Sequence, residues 1–323
     1  MRTVEEKIKM WYNIFMKYSS ILEHKGLVWM NVTRQSEKEL QGVKKKFDLL
    51  QQDIEECKPH FQRPKLVKRD HYYFIVLHFP VFDRKTRRLG FTEVDFFLSQ
   101  NYVVTIHDNS IESLGVFLEM CSKEAGRKHV FKGTAAHLFL ELLRHICDSI
   151  FPSLQHINED INVVDANLFA QKIPNEKMAK EVLRLKTNIV NFRRAMQGHR
   201  TVLERLVLYG GRELDLFSYQ AGINSLKEEI NEIWHMLDNQ KDSINALHET
   251  NESLINLRTN EVMRTLTVIS VVTFPLTLMA ALFAIAAPDN PFVHNKNGFL
   301  LIVTVLLWVA VFMIFFFKKR KWI

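Results

Sequence analysis

Leu266-Thr-Val-Ile-Ser-Val-Val-Thr-Phe-Pro-Leu-Thr-Leu-Met-Ala-Ala-Leu-Phe-Ala-Ile-Ala-Ala287 is a run of 22 residues without a single charge. About 20 apolar residues, at roughly 1.5 Å of rise each, cross the hydrocarbon core of a bilayer. The stretch therefore reads as a membrane span. Phe299 to Phe317 carries no charge over 19 residues and reads the same way. Residues 288–298 between them are too few for a domain and suit a hairpin loop. Arg258 and Arg264 precede the first span, and Lys318-Lys-Arg-Lys321 follows the second. Lys and Arg concentrate on cytoplasmic flanks. The expectation is a multi-pass protein of the cell (inner or plasma) membrane, with both termini cytoplasmic and the loop outside.

Working outward, the remaining residues are of a different kind. Mean hydropathy over all 323 residues is −0.08, which suggests a soluble protein only because a charged majority hides an apolar end. The formal charge of +7 is also local. Without Lys296, Lys318, Lys319, Arg320, Lys321 and the one acid Asp289, 38 basic and 35 acidic residues remain. That is an ordinary surface without a basic stripe for phosphates, and nucleic acid is not an expected partner. Cys57, Cys121 and Cys147 are odd in number and far apart, so neither a disulfide framework nor a zinc knuckle is indicated, and a reducing compartment fits. The N-terminal residues Met1-Arg-Thr-Val-Glu-Glu-Lys show no secretory signal.

Upstream of the spans the pattern divides again. Leu27-Val-Trp-Met-Asn-Val reads as a short strand, and Ser36 to Cys57 as a helix opened by a Ser36 cap. Tyr72-Tyr-Phe-Ile-Val-Leu-His-Phe, Phe91 to Leu98 and Tyr102 to His107 read as strands of an antiparallel meander, with a turn over Asp83 to Gly90. From Thr134 the pattern is helical, interrupted at Pro152, Pro174 and Gly210-Gly211. Asp215 to Thr265 holds no proline and repeats apolar residues at helical spacing, as a long stalk helix would. The expected organisation is an α+β cytoplasmic domain (1–133), a helical region with a long stalk (134–265), a first span (266–287), an outer loop (288–298), a second span (299–317) and a basic tail (318–323).

On a helical wheel of about 100° per residue, Asn260, Met263, Thr267, Ser270, Phe274, Thr277 and Ala281 share one side of the first span. Hydroxyls within a bilayer face protein or water, so this stripe faces either a neighbouring helix or a pore. Two spans per chain cannot enclose an aqueous path, so conduction would require several copies around an axis. Pro275 removes one backbone hydrogen bond and frees a carbonyl within reach of Thr273 or Thr277.

Asn260-Glu-Val-Met-Arg-Thr-Leu-Thr, Phe274-Pro-Leu-Thr-Leu278, the two-helix hairpin and the terminal Lys318-Lys-Arg-Lys-Trp-Ile resemble the CorA magnesium transporter family. Gln62-Arg-Pro-Lys65, Phe74 to Pro80 and Val94 to His107 extend the resemblance through most of the chain. It implies a funnel-shaped homopentamer in membrane lipid, a stalk continuous with the pore helix, and Mg²⁺ or another divalent cation as the transported and regulatory ion, with no other cofactor. It also implies a path lined by Asn260, Met263, Leu266, Phe274 and Thr277, with Met263 and Leu266 as a hydrophobic gate. The wheel adds Thr267 and Ser270. The family's Gly-Met-Asn tripeptide, whose amide ring meets a hydrated cation at the outer mouth, falls here on Ala284, Ile285 and Ala286. Two alternatives follow. The chain selects its ion elsewhere, with Asp289, Asn290 or loop carbonyls, or it no longer conducts Mg²⁺ and serves as a membrane-anchored sensor or partner-binding protein. Zn²⁺, Co²⁺ and Ni²⁺ are alternative ions.

Other constellations point nowhere sharper. His137, Glu141 and His145 share a helical face, but their spacing is not that of a His-Glu-x-x-His site. His107-Asp108 and Asp70-His71 read as strand-end polar residues. Neither a nucleophile with its base nor a phosphate-cradling glycine loop is present, so the chain is not expected to be an enzyme. The family's regulatory carboxylate sites cannot be assigned to residues here, and Glu228, Glu229, Glu232, Asp238 and Asp242 read as solvated stalk charges.

Overall fold

The run Tyr73 to Phe79 is buried at every position, the pattern of a strand covered on both faces rather than one. It lies within a six-stranded sheet in a computed structural model that describes residues 19–33, 37–58, 61–170, 175–285 and 297–320. The strands are β1 (Ser19–His24), β2 (Leu27–Val32), β3 (Lys65–Lys68), β4 (Tyr73–Asp83), β5 (Arg88–Leu98) and β6 (Tyr102–His107), in the order β1-β2-β6-β5-β4-β3. The meander β4-β5-β6 is antiparallel, as expected, whereas β2 pairs with β6 in parallel. The parallel pair and the edge strand β1 were not foreseen. A parallel neighbour leaves no hairpin turn between its strands to read.

The β4-β5 turn is shorter than expected. Strand pairing runs to Asp83 opposite Arg88, leaving Arg84 to Arg87 as the turn. Asp83 Oδ1 accepts the Lys85 N–H at 2.8 Å, Oδ2 accepts the Thr86 hydroxyl at 2.8 Å, and Arg87 takes a left-handed φ of 54°.

Helices α1 (Glu37–Phe47) and α2 (Gln51–Glu56) replace the single helix expected from Ser36 to Cys57. Asp48, at φ 51°, is left-handed and ends the first helix. The Ser36 cap lies outside the described residues. Leu40, Val43 and Ile54 of these helices share a core with Phe74, Val76, Phe97, Val104 and Ile106 of the sheet. Asp53 of α2 is fully buried. It accepts the Tyr72 hydroxyl at 2.6 Å and both an Nε–H, at 2.9 Å, and an Nη2–H from Arg69, so the carboxylate enters the core fully partnered.

The remaining helices of this unit are α3 (Glu112–Ser122), α4 (Glu124–Val130), α5 (Ala135–Asp148), α6 (Phe151–Ala170), α7 (Asn175–Met196) and α8 (His199–Gly210). They cover the opposite face: Phe96 meets Phe139 of α5 edge-on at 5.3 Å, and Phe79 meets His199 of α8 at 4.9 Å. Polar joints hold α7 to β5, where Asn188 accepts the Leu89 N–H at 2.9 Å and donates to the Arg87 carbonyl at 3.0 Å. Pro152 sits in the first turn of α6, where its missing N–H costs no intrahelical bond. Gly210-Gly211 closes α8, as expected, and Pro174 lies outside the described residues.

The long helix begins later than expected. Asp215 is left-handed, at φ 53°, and Leu216–Tyr219 forms a 3₁₀ turn before α9 (Gln220–Phe283), a 64-residue helix that includes Pro275. Helix α10 (Gly298–Lys319) completes the chain. The molecule divides into two units, Met1–Leu247 and His248–Ile323. Helices α9 and α10 are both long and apolar enough to cross a membrane.

Candidate pore helix

Within the unit His248–Ile323, α9 presents two distinct faces. Thr273, Leu276, Thr277 and Ala280 look across a groove of about 510 Å³ toward Val303, Leu306, Leu307 and Ala310 of α10. These residues recur every three or four positions and include small side chains, which let two helices approach. The stripe Asn260, Met263, Thr267, Ser270 and Phe274 is centred roughly a third of a turn away on a wheel of about 100° per residue. Thr277 lies on the shared border. The stripe is left open by α10: Phe274 is 76% exposed and Met263 56% exposed, while Leu266, on the side of the groove, is also 56% exposed. Asn260 and Thr267 are also exposed, and Ser270 is half-buried.

The hydroxyls of Thr267, Ser270 and Thr277 share one geometry. Thr267 donates to the Met263 carbonyl at 2.8 Å, Ser270 to that of Leu266 at 2.9 Å, and Thr277 to that of Thr273 at 2.9 Å. Each proton is turned back into the helix, leaving oxygen lone pairs as the outward polar groups. A face of acceptors suits a cation or the hydrogens of its hydration water. Thr277 does not take the carbonyl freed by Pro275, since its proton goes to Thr273.

Helix α9 ends at Phe283, and the last turn tightens, with Ala284 N–H bonding Ala280 O at 3.1 Å and Ile285 N–H bonding Leu282 O at 3.3 Å. Ala284 and Ile285 thus follow directly on the helix end. Ala286 and Asp289 lie outside the described residues. The groove facing α10 was not anticipated, because one helix's periodicity marks a face without naming what covers it. The spacing of Thr273 and Ala280 was the available signal.

In the other unit, His137 Nδ1 stands 3.9 Å from Glu141 Oε1, while His145 packs on Phe117 with ring centroids 5.1 Å apart. No cluster of three His, Cys, Asp or Glu side chains suited to a metal occurs among the described residues. The stalk acids Glu229 and Asp238 pair with Arg144, at 3.5 Å, and with Arg193, and Glu228 and Glu232 are exposed. His107 is buried with both ring nitrogens engaged: Nε2 donates to Asn31 Oδ1 at 3.0 Å, and Nδ1 accepts the Asn109 N–H at 3.0 Å. Burial pulls its pKa down to about 4. It is a structural residue of the sheet end, not a ligand.

A mixed α/β unit followed by a long helix and a terminal apolar helix defines a membrane protein with C-terminal membrane helices. The chain belongs to the CorA-like Mg²⁺ transporter protein family, whose model matches residues 24–319. It is thus a transporter of divalent cations and not an enzyme. The cobalt/magnesium transport protein CorA of Thermotoga maritima is 24% identical over 299 residues, 91% of this chain and 83% of its own length. The putative metal ion transporter YfjQ of Bacillus subtilis is 24% identical over 276 residues, 83% of this chain and 81% of its own. In fold, the complete CorA magnesium transporter from Methanocaldococcus jannaschii matches with a TM-score of 0.79 at 18% identity, over 94% of this chain and 93% of that one.

Proposed function

We propose that five copies of this chain surround a pore through which Mg²⁺ crosses a cell membrane, with both termini in the cytoplasm. The observation that carries the reading is the acceptor-bearing stripe of α9, which α10 of the same chain leaves open. A hydroxyl face is poorly suited to lipid, and two helices cannot enclose water, so copies of α9 around an axis satisfy both demands. Asn260, Met263, Leu266, Thr267, Ser270, Phe274 and Thr277 line the path. Met263 and Leu266 form a constriction that closes by dewetting. Mg²⁺ sheds its water reluctantly, and outward lone pairs accept hydrogens from a retained shell. The relatives named for magnesium and cobalt support the choice of ion.

A second reading rests on the outer mouth, where Ala284 and Ile285 follow the helix end without side-chain oxygens. In that reading the chain anchors a cytoplasmic domain that senses an ion or binds a partner, without conducting Mg²⁺. Asp289, repeated five times, is the acceptor that the first reading places at the mouth instead. Uptake of Mg²⁺ into proteoliposomes separates the two, run with the natural chain and with the triple substitution Ala284→Gly, Ile285→Met and Ala286→Asn. Flux through the natural chain that falls on Asp289→Asn supports the pore. Intact pentamers that pass neither Mg²⁺, Co²⁺ nor Zn²⁺ until the triple substitution is made would establish the anchored reading.

A further inference from the structure

Between α7 and the N-terminal half of α9 lies a cavity of about 540 Å³ that the transport reading leaves unused. One wall is a face of α7, with Lys186, Ile189, Val190, Arg193 and Arg194 at helical spacing; the other is Trp234, Lys241, Ile244 and Asn245 of α9. All belong to the unit Met1–Leu247. Four of the lining side chains are cations and none is an acid. Arg193 is committed: it pairs with Asp238, and its guanidinium stands over the Trp234 ring, 5.0 Å from the centroid. Lys241 has Asp242 only at 3.9 Å. Among the described residues Lys186 and Arg194 have no ion-pair partner.

The combination selects a ligand. Unneutralised cations facing one concavity attract an anion with several charges, and guanidinium and ammonium groups together suit phosphate oxygens. A bare phosphate would leave the half-buried indole and the exposed Val190 without a partner, above Ile189 and Ile244, which the protein itself already buries. A planar base can stack against an aromatic ring and an apolar wall, and the volume lies within the usual range of roughly 300–1,000 Å³ for a small-molecule site. We propose that this cavity binds a nucleoside polyphosphate, its base against Trp234 and Val190 and its phosphates toward Lys186, Arg194 and Lys241. Phosphate chains are themselves ligands of Mg²⁺, so a transporter carrying this site has a means of responding to the pool that buffers its cargo. The binding claim is independent of which ion passes.

The test uses the full chain in detergent micelles with N-methylanthraniloyl-ADP as the probe, followed by fluorescence anisotropy with unlabelled ATP, ADP and inorganic triphosphate as competitors. The expected result is saturable binding that ATP and ADP displace at least tenfold more effectively than inorganic triphosphate. Lys186→Glu with Arg194→Glu, at exposed positions, should weaken it at least tenfold with oligomer size and melting temperature unchanged. Trp234→Leu should remove the advantage of nucleotide over triphosphate. Absence of binding overturns the proposal, as does equal competition by triphosphate, which marks a bare charge effect, or nucleotide affinity indifferent to the double reversal. Loss of oligomer on the double reversal without nucleotide binding by the natural chain also overturns it, and assigns the cations to a neighbouring copy. Should Trp234→Leu fail to fold, the competitor series on the natural chain still decides.

Discussion

The sheet unit and the two apolar helices handle the same problem, what to do with apolar surface, in opposite ways. In the first, Phe74, Phe96, Phe97 and Phe139 are buried to within 2% and even Asp53 enters the core with its partners. In the second, Phe274, Leu300 and Phe312 are 76%, 71% and 67% exposed, and the hydroxyls answer their own backbone. One region buries its apolar surface within a single chain. The other leaves its apolar sides open, because no amount of internal packing lets two helices cover all their sides.

The contrast can be broken most forcefully in the sheet core. Phe97→Ala, removing a ring stacked on Phe74 at 4.9 Å, is expected to cost about 3–5 kcal/mol in urea denaturation; a loss below about 1 kcal/mol would mean the core is not the rigid half. Acid comes next. His107 and His199 are held near 4 by burial, below the ordinary value of about 6.5. A depressed histidine means that the unfolded chain binds the proton more readily, so stability is full above about pH 6.5 and falls as pH drops toward about 4, by on the order of 3 kcal/mol for each ring. Denaturant midpoints across that window should decline, and His107→Gln should flatten the slope; a midpoint independent of pH would refute neutral burial.

A smaller effect is expected where α7 is tied to β5. Asn188→Ala strands the Leu89 N–H and should cost about 1–3 kcal/mol, while Asn188→Asp, which keeps an acceptor, should recover part of it. The smallest is expected in α10. Phe312→Ala on an exposed face should change the melting temperature of the solubilised protein little, by less than about 1 kcal/mol equivalent. A loss as large as that of Phe97→Ala would sharpen the comparison differently, by showing that a second copy covers that face.

Several features were legible because local chemistry decides them. Strand β2 falls on Leu27 to Val32 and the meander on the apolar runs expected, since buried strands are β-rich whatever surrounds them. Gly210-Gly211 ends a helix where a Cβ on Gly211 would stand 2.7 Å from the Phe217 ring. Others were hidden. Ser36 to Cys57 carries one helical pattern, yet Asp48 turns left-handed because Leu49 and Ile54 must both reach the sheet core. Of the candidate pore residues, the stripe on α9 was visible in its period, but the groove of Thr273 and Ala280 against α10 was not.

What the sequence alone determined is what depends on neighbours along the chain: two uncharged stretches long enough to span a membrane, basic residues at their flanks, a polar stripe repeating with the helix, and the motifs that mark the family. What only the tertiary structure decided depends on residues far apart in sequence. It pairs β2 with β6 in parallel, brings Asp53 to Arg69 and Tyr72, sets α10 about a third of a turn away from the stripe, and gathers Lys186, Arg194 and Trp234 around one cavity. Periodicity records which face a residue occupies. Only packing decides what that face meets.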